Sequence, residues 1–199
     1  MRVISGTAGG IVLKTARGRW LRPTTDRART ALFDWLGGRV QGAVVLDLFC
    51  GCGALGIEAL SRGAREATFV DVRREALDLV IENLTRTSFR EQGRVVHQDA
   101  RGFLRKAAAE GERFDVVFAD PPYFRPGELA ELVEQVPPVL RNGGLLILEH
   151  SARVSPPGGS SALRPIAARK VGETCFTILE RMEERTLARA TEGHLPGDV

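Results

Sequence analysis

The feature that most constrains the fold is the alternation of short apolar segments with amphipathic ones between residues 44 and 149. Val44–Phe49 reads VVLDLF and Phe114–Ala119 reads FDVVFA. Nearly continuous apolar runs of this length are typical of parallel strands that are buried on both faces. Each run is followed by a segment with apolar residues at helical spacing. Strands and helices that alternate at this rate predict a doubly wound α/β fold with a mostly parallel, Rossmann-like sheet.

The alternation resolves into five strands with helices between them and a hairpin at the end. Pro137 and Pro138 are expected to interrupt the last helix, because proline lacks the N–H that a helix interior needs. Residues 155–161, rich in serine and glycine, predict a loop. The predicted strands are Val44–Phe49, Ala67–Val72, Arg94–Gln98, Phe114–Ala119 and Leu145–Glu149. One predicted helix passes through Leu55, Ala59 and Leu60, and the other three are Arg73–Arg86, Arg101–Ala109 and Leu129–Leu140. The final hairpin joins Lys170–Val171 to Cys175–Leu179.

A separate extension precedes this alternation. Two β-prone runs, residues 2–6 and 11–15, predict a small hairpin outside the sheet. Thr24 or Thr25 is expected to cap a helix that begins near Asp26 and ends at Gly37. We therefore expect the sheet to fold without residues 1–21. The predicted organisation is an N-terminal basic extension (1–40), a principal domain (41–185) and a frayed tail (186–199).

The positive charge at the front of the chain points to a polyanionic partner. Residues 1–40 hold eight basic and two acidic side chains, and 25 of the 28 basic residues in the chain are arginines, which bind phosphate bidentately. The sequence has no apolar run long enough to span a membrane and no apolar signal segment. Three cysteines, two of them too close for an ordinary structural disulfide, fit a reducing compartment. We expect a cytoplasmic monomer without a membrane anchor.

A glycine-rich turn follows the first predicted strand. Gly51, Gly53 and Gly56 spell G-x-G-x-x-G, and glycine allows a backbone to turn sharply and to approach a ligand closely. This spacing suits a nicotinamide dinucleotide as well as other nucleosides. Asp47 lies inside the strand, four residues before Gly51, and the chain has the size of a single nucleoside-binding domain. These two observations favour a smaller nucleoside ligand.

Acidic residues also end the second and third predicted strands. Ligands of doubly wound sheets bind at the carboxyl ends of the strands. Asp71 can accept hydrogen bonds from both hydroxyls of a ribose, and Asp99 can hold an exocyclic adenine amine, with the backbone N–H of Ala100 directed at the ring. Either aspartate could instead do no more than cap the helix that follows it.

The most specific signal follows the fourth predicted strand, where Asp120, Pro121, Pro122 and Tyr123 are consecutive. The two prolines fix the backbone directly after a buried strand. Asp120 and the carbonyl of Pro121 can each accept one hydrogen of a planar NH₂ group, which aims the lone pair of the nitrogen. Tyr123 offers a stacking face for a base. The pattern predicts a site that grips an exocyclic amine, and the alternative is a rigid turn with a capping aspartate.

Taken together, the segments DLFCGCGALG and DPPY with Asp71 and Asp99 resemble the class I S-adenosylmethionine methyltransferases that modify exocyclic amines. The segment RPTTDRAR, followed by ALF and then by DLFCGCGALGIEALSRGA, resembles more narrowly the bacterial family that methylates N2 of guanine 966 in 16S rRNA. This resemblance covers about residues 2–180. The chain departs from the family at Cys50 and Cys52, where alanine and serine are usual, and at residues 9–11, where a basic cluster is usual.

The resemblance implies an enzyme that transfers a methyl group from S-adenosylmethionine to a guanine amine of 16S rRNA, within an assembled or assembling small ribosomal subunit. It implies that the segment 22–27 folds over the cofactor and the active site. The residues implied in catalysis are Asp120, Pro121 and Tyr123; those implied in cofactor binding are Asp47, Gly51, Gly53, Asp71, Asp99 and Ala100; those implied in substrate binding are Arg22, Thr24, Thr25, Arg27 and Pro122.

Several alternatives stay open at this stage. The same chemistry could act on another amine, such as adenine N6 in DNA or a different rRNA guanine, and only the RPTTDR segment argues against this. A nicotinamide oxidoreductase would be revealed by the mass of a bound cofactor. A non-catalytic RNA-binding assembly factor would fail a methyl-transfer assay. Cys50 and Cys52 are too close together, without a nearby histidine, to predict a metal site.

Overall fold

The computed structural model describes residues 1–15, 24–121, 127–154 and 158–183. These residues form a seven-stranded sheet with five α-helices. The basic loop at 17–23, part of the loop at 155–161 and the tail at 186–199 lie outside these residues. The helices are α1 (Asp26–Leu36), α2 (Ala54–Ser61), α3 (Arg74–Arg86), α4 (Ala100–Ala109) and α5 (Glu128–Gln135); the strands are β1 (Val44–Leu48), β2 (Glu66–Asp71), β3 (Gly93–His97), β4 (Phe114–Ala119), β5 (Leu140–Ser151), β6 (Leu163–Val171) and β7 (Thr174–Arg181).

The strand order is β3-β2-β1-β4-β5-β7-β6. The first five strands in this order are parallel, whereas β7 runs antiparallel to both β5 and β6. The prediction of a doubly wound, mostly parallel sheet is therefore confirmed. The chain builds outward from β1 in one direction and then returns to add β4 on its other side, so the switch in strand order falls between β1 and β4. Crevices at such a switch are the usual ligand sites of these sheets.

Three predicted boundaries in the last third of the chain were wrong. The helix predicted to reach Leu140 ends at Gln135, and a 3₁₀ turn covers Pro137–Val139, because prolines cannot continue an α-helix. Strand β5 begins at Leu140, five residues earlier than predicted, and pairs with β4 across a bulge. Strand β6 begins at Leu163 instead of Lys170. The first residues of β5 and β6 include polar ones, so the sequence shows no long apolar run there, and these parts of the strands are stabilised by backbone pairing.

The two faces of the sheet are covered by different helices. On one face, Phe33 of α1 packs against Phe118 of β4, with ring centres 5.7 Å apart, and α2 and α3 complete this layer. On the other face, Phe103 of α4 packs against Phe114, with ring centres 6.4 Å apart, beside α5. Within the described ranges, no helix is long and apolar enough to cross a bilayer.

The N-terminal hairpin forms as predicted, with an antiparallel bridge between Arg2 and Val12. Its apolar side chains are not exposed, because Val3, Ala8 and Leu13 are buried in the same core as α1 and α2. The expectation that the sheet folds without residues 1–21 is therefore revised. Removing this hairpin would open the core that it covers.

Two buried polar side chains fasten the hairpin to the domain. The carboxylate of Glu58, on α2, accepts hydrogen bonds from the backbone N–H groups of Ile4 at 2.7 Å and Ser5 at 3.1 Å. The amide of Asn83, on α3, accepts from the N–H of Lys14 at 2.7 Å and donates to its carbonyl at 2.9 Å. Asn83 also donates to the carbonyl of Cys52, so it links the end of the hairpin to the glycine-rich turn.

Candidate functional site

The carboxyl edge of the sheet brings together residues from four neighbouring parallel strands. Leu48 pairs with Val70 on one side and with Ala119 on the other, and Ala119 pairs with Leu148. The next residue of each strand therefore lies in one row across the edge. That row is Asp71, Phe49, Asp120 and Glu149. Because adjacent strands are about 4.8 Å apart, the backbones of Asp71 and Asp120 are separated by about 10 Å, with the glycine-rich turn between them.

The turn after β1 depends on left-handed backbone conformations. Phe49, Gly51 and Gly53 have φ values of 57°, 53° and 79°. Gly53 precedes the first residue of α2, and a β-carbon there would lie 3.2 Å from both Phe69 and Val80. The left-handed conformation favours glycine at this position, and any larger residue would also have to displace the side chains of Phe69 and Val80 by a few tenths of an ångström. Phe49 is an apolar residue in a left-handed conformation, which is uncommon and which the sequence did not predict.

Asp71 and Asp99 both stand at the edge as predicted, with different surroundings. Asp71 accepts hydrogen bonds from the N–H of Gly51 at 3.1 Å and from that of Arg73 at 2.9 Å, so its carboxylate is held against the glycine-rich turn. Asp99 is exposed and caps α4 by accepting from the N–H of Gly102 at 2.8 Å. Ala100 is buried at the start of α4. The capping role that we considered for Asp99 is therefore present.

Asp47 lies under the turn and is almost completely buried. Its carboxyl group accepts a hydrogen bond from the N–H of Gly56 at 2.9 Å. Burial raises its pKa from 3.8 to about 8, and the negative charges of Asp71 and Glu149 contribute to the increase against the opposing effect of the Gly56 hydrogen bond. At neutral pH the side chain is predominantly the neutral acid, until a cation comes close to it.

This raised pKa predicts a pH-dependent stability. Between pH 4 and pH 8 the unfolded chain has released the proton that folded Asp47 keeps, so the free energy of unfolding falls as pH rises, by up to about 1.4 kcal/mol per pH unit. Asp47→Asn stays neutral and retains an acceptor for Gly56. Without added ligand, we expect this variant to become increasingly more stable than the parent from pH 5 to pH 8, as measured by urea unfolding. The exposed variant Asp78→Asn is the control, and equal pH profiles for Asp47→Asn and the parent would contradict the assignment.

The segment before α1 meets the sheet edge beside Asp120. The hydroxyl of Thr24 donates to the carboxylate of Glu149 at 2.6 Å, and both residues are buried. The hydroxyl of Thr25 caps α1 by accepting from the N–H of Ala28 at 3.2 Å. Arg27 is exposed on the first turn of α1. This part of the predicted substrate segment thus lies at the end of β5, next to β4.

The structure brings together most of the residues predicted for the site. Asp120 is half-buried and Pro121 is buried at the end of β4. Arg22, Pro122 and Tyr123 lie outside the described residues. Sequence reasoning missed Glu149, although a carboxylate at the end of an apolar strand was a usable signal.

The two cysteines of the turn are buried free thiols. Burial raises the pKa of both Cys50 and Cys52, so both stay protonated at neutral pH. Both side chains pack in the core cluster that includes α2. In the part of the chain that the structure describes, no group of three or more histidine, cysteine or acidic side chains is arranged to hold a metal ion.

Comparisons with known proteins agree with this geometry. The chain is 38% identical over 159 residues to "Putative rRNA methyltransferase YlbH" of Bacillus subtilis, an alignment that covers 79% of this chain and 86% of the relative. It is 43% identical over 133 residues to "Ribosomal RNA small subunit methyltransferase D" of Escherichia coli, covering 67% of this chain and 65% of that protein. A solved structure titled "Putative methyltransferase yhhF from Escherichia coli" superposes with a TM-score of 0.80 at 33% identity, covering 92% of this chain and 98% of that one.

The sheet order, the glycine-rich turn and the acidic row at the carboxyl edge define a protein with the Rossmann-like fold of the S-adenosylmethionine-dependent methyltransferases. More narrowly, the chain belongs to the family described as Conserved hypothetical protein 95, whose model matches residues 1–180.

Proposed function

We propose that this protein transfers a methyl group from S-adenosylmethionine to the exocyclic N2 amine of a guanine in 16S rRNA. The observation that carries the proposal is the position of Asp120 and Pro121, which directly follow β4 beside the glycine-rich turn. An amine bound by Asp120 and Pro121 would face the ligand of the glycine-rich turn. The names of the two aligned relatives, both rRNA methyltransferases, support an RNA substrate.

The residues at the edge suit the chemical groups of S-adenosylmethionine, which supplies a methyl group bonded to a positively charged sulfur. In our proposal, Asp71 accepts hydrogen bonds from the ribose hydroxyls. Asp99 and the N–H of Ala100 contact the adenine, and Gly51 and Gly53 allow the backbone to approach the ligand. Asp47 lies near the amino-acid end, where an ammonium group would favour its ionised form and offset the cost of burying the charge.

The residues that follow β4 are proposed to bind the guanine base. In our proposal, the carboxylate of Asp120 and the carbonyl of Pro121 each accept one hydrogen bond from the guanine amine. These two hydrogen bonds turn the nitrogen lone pair out of conjugation with the ring and toward the methyl group. Tyr123 is proposed to stack on the base, and Pro122 is proposed to contact the substrate. Catalysis would come from alignment, because the methyl donor already carries its leaving group. The bond between Thr24 and Glu149 would hold the substrate segment, including Arg22, Thr25 and Arg27, over this site.

We further propose that the enzyme acts as a cytoplasmic monomer on an assembled or assembling small ribosomal subunit. Residues 1–40 would form the RNA-facing extension of a methyltransferase domain that spans residues 41–185. The name of the Escherichia coli relative supports the subunit, and the basic character of the extension supports contact with RNA.

The direct test uses small ribosomal subunits from cells that lack the protein, incubated with purified enzyme and labelled S-adenosylmethionine. Mass mapping of the digested 16S rRNA should give one fragment with a single added methyl group, and nucleoside analysis should identify N2-methylguanosine. A label on N6-methyladenosine would favour the adenine alternative. RNA binding without any label would favour the assembly-factor alternative.

Asp71 provides a test of cofactor binding. Asp71→Ala should weaken binding of S-adenosylmethionine by about 1.5–3 kcal/mol, because charge-assisted hydrogen bonds to the ribose are lost together with the anchor of Gly51. Isothermal titration calorimetry measures the affinity directly. Glu75→Ala removes the same charge from the exposed first turn of α3 and should bind normally. Unchanged affinity in Asp71→Ala would remove this residue from the site.

A further inference from the structure

One surface outside the candidate site holds two arginines against a single aromatic ring. The guanidinium of Arg39 lies 5.0 Å from the centre of the Trp35 ring system, and that of Arg169 lies 5.7 Å from it. Trp35 belongs to the last turn of α1, Arg39 to the 3₁₀ turn after it, and Arg169 to β6. We call these three residues the Arg–Trp–Arg stack.

The positive charge of this stack is not neutralised by neighbouring carboxylates. Among the described residues, neither Arg39 nor Arg169 forms an ion pair, and both side chains are exposed. By contrast, the two described basic residues of the hairpin, Arg2 and Lys14, each pair with a carboxylate. The positive charge of residues 1–40 was predicted to face a polyanion, but the part of it that the hairpin carries on Arg2 and Lys14 is already compensated. The uncompensated charge lies on the side of α1 that faces β6.

Acidic residues near the stack do not cancel this charge. Asp34 precedes Trp35 and is largely exposed, but the cation in reach of its carboxylate is Arg62, at 3.8 Å. On β6, the guanidinium of Arg164 is paired with Glu180 at 2.7 Å. The two arginines of the stack therefore present the free positive charge of this surface.

The surface is continuous with the substrate segment. Arg27, Ala31, Trp35 and Arg39 recur every four residues, so they lie along one side of α1 and its 3₁₀ extension. At 1.5 Å per residue, Arg27 and Trp35 are about 12 Å apart along α1, and Arg39 lies beyond Trp35 in the 3₁₀ turn. This line begins two residues after the cap Thr25, at the carboxyl edge of the sheet, and leads away from the site.

We propose that the Arg–Trp–Arg stack binds the phosphate backbone of the rRNA that flanks the methylated base. This inference rests on the proposed function. A guanidinium that contacts an aromatic face keeps N–H groups for bonds to a phosphate. One terminal nitrogen of Arg169 donates to the carbonyl of Ala168 at 3.0 Å, and its other N–H groups are left for the ligand. The ring also limits the motion of both side chains before RNA arrives, which lowers the entropy lost on binding. An acidic protein partner is the rival, and the test includes it.

The test compares the double variant Arg39→Ala/Arg169→Ala with the parent on deproteinised 16S rRNA. We expect the dissociation constant to rise roughly tenfold or more and the slope of log K against log salt to shrink by about 1.4–1.8, because two phosphate contacts are lost. Affinity for S-adenosylmethionine and turnover at saturating RNA should be unchanged. The matched control is Arg105→Ala/Arg113→Ala, which removes two exposed arginines, one of α4 on the other face of the sheet and one of the turn before β4, and should keep the parental slope.

A second variant separates charge from folding. Arg39→Lys/Arg169→Lys keeps both charges, so it should keep most of the salt slope while losing part of the affinity, since lysine cannot bind a phosphate bidentately. An unchanged slope in the alanine double variant would overturn the inference. So would a loss seen only with intact small subunits, which would indicate a protein contact. A parent that fails to methylate any rRNA would instead overturn the proposed function.

Discussion

Asp120→Ala is expected to lower the turnover number by at least about 100-fold while changing the affinity for S-adenosylmethionine by no more than a few-fold. The carboxylate is proposed to hold the base and not the cofactor, and misplacing a reacting group by about 1 Å is enough for a loss of this size. Asp120→Asn should also lose most activity, because an amide offers one acceptor oxygen and no charge. Single-turnover methylation at saturating rRNA measures the effect.

The control for this prediction lies on the same strand. Asp115 is at the opposite end of β4, where it accepts a hydrogen bond from the N–H of Val44 at 2.7 Å. Asp115→Asn makes the same isosteric change far from the site and should turn over normally. If Asp120→Asn methylated rRNA at nearly the parental rate, Asp120 would not grip the amine.

Glu58→Ala is expected to lower the free energy of unfolding by about 3–5 kcal/mol, the usual cost of removing one partner of a buried ion pair. Glu58 is fully buried and lies between two cations: its carboxylate bonds Arg62 at 2.7 Å and is 3.9 Å from a nitrogen of Arg29. Arg29 is also fully buried, and among the residues that the structure describes its Nε and one terminal nitrogen have no hydrogen-bond acceptor. Without Glu58, this guanidinium would lose a compensating charge, and the N–H groups of Ile4 and Ser5 would lose their acceptor.

Thermal and urea unfolding followed by circular dichroism would measure the loss. The control is Glu66→Ala, which removes an exposed carboxylate paired with Arg65 at 3.0 Å and should change stability by less than about 1 kcal/mol. Limited proteolysis should also cut Glu58→Ala first within residues 1–15, because this carboxylate fastens the hairpin. Equal stability of the two variants would mean that the Glu58 carboxylate does not fasten the hairpin.

The sequence by itself determined the features that depend on neighbouring residues. Buried strands consist of short apolar runs, so the boundaries of β1, β2 and β4 were predicted to within about one residue. The glycine-rich turn and the Asp-Pro-Pro segment follow those strands directly, and parallel strands end at one edge, so the candidate site could be located without coordinates. The Thr25 cap of α1 is equally local. By contrast, β5 and β6 extend through polar residues whose pairing depends on backbone partners elsewhere in the chain.

Only the tertiary structure decided which distant residues meet. Thr24 and Glu149 are 125 residues apart, and their hydrogen bond has no periodic signature in the sequence. The protonated state of Asp47 likewise arises from burial beneath the turn, and desolvation depends on everything packed around a group. The contact of Trp35 with Arg169 requires the packing of α1 against β6, two elements that are far apart in the chain. Local patterns specify elements and their ends, whereas the surroundings of a side chain depend on the packing of elements far apart in the chain.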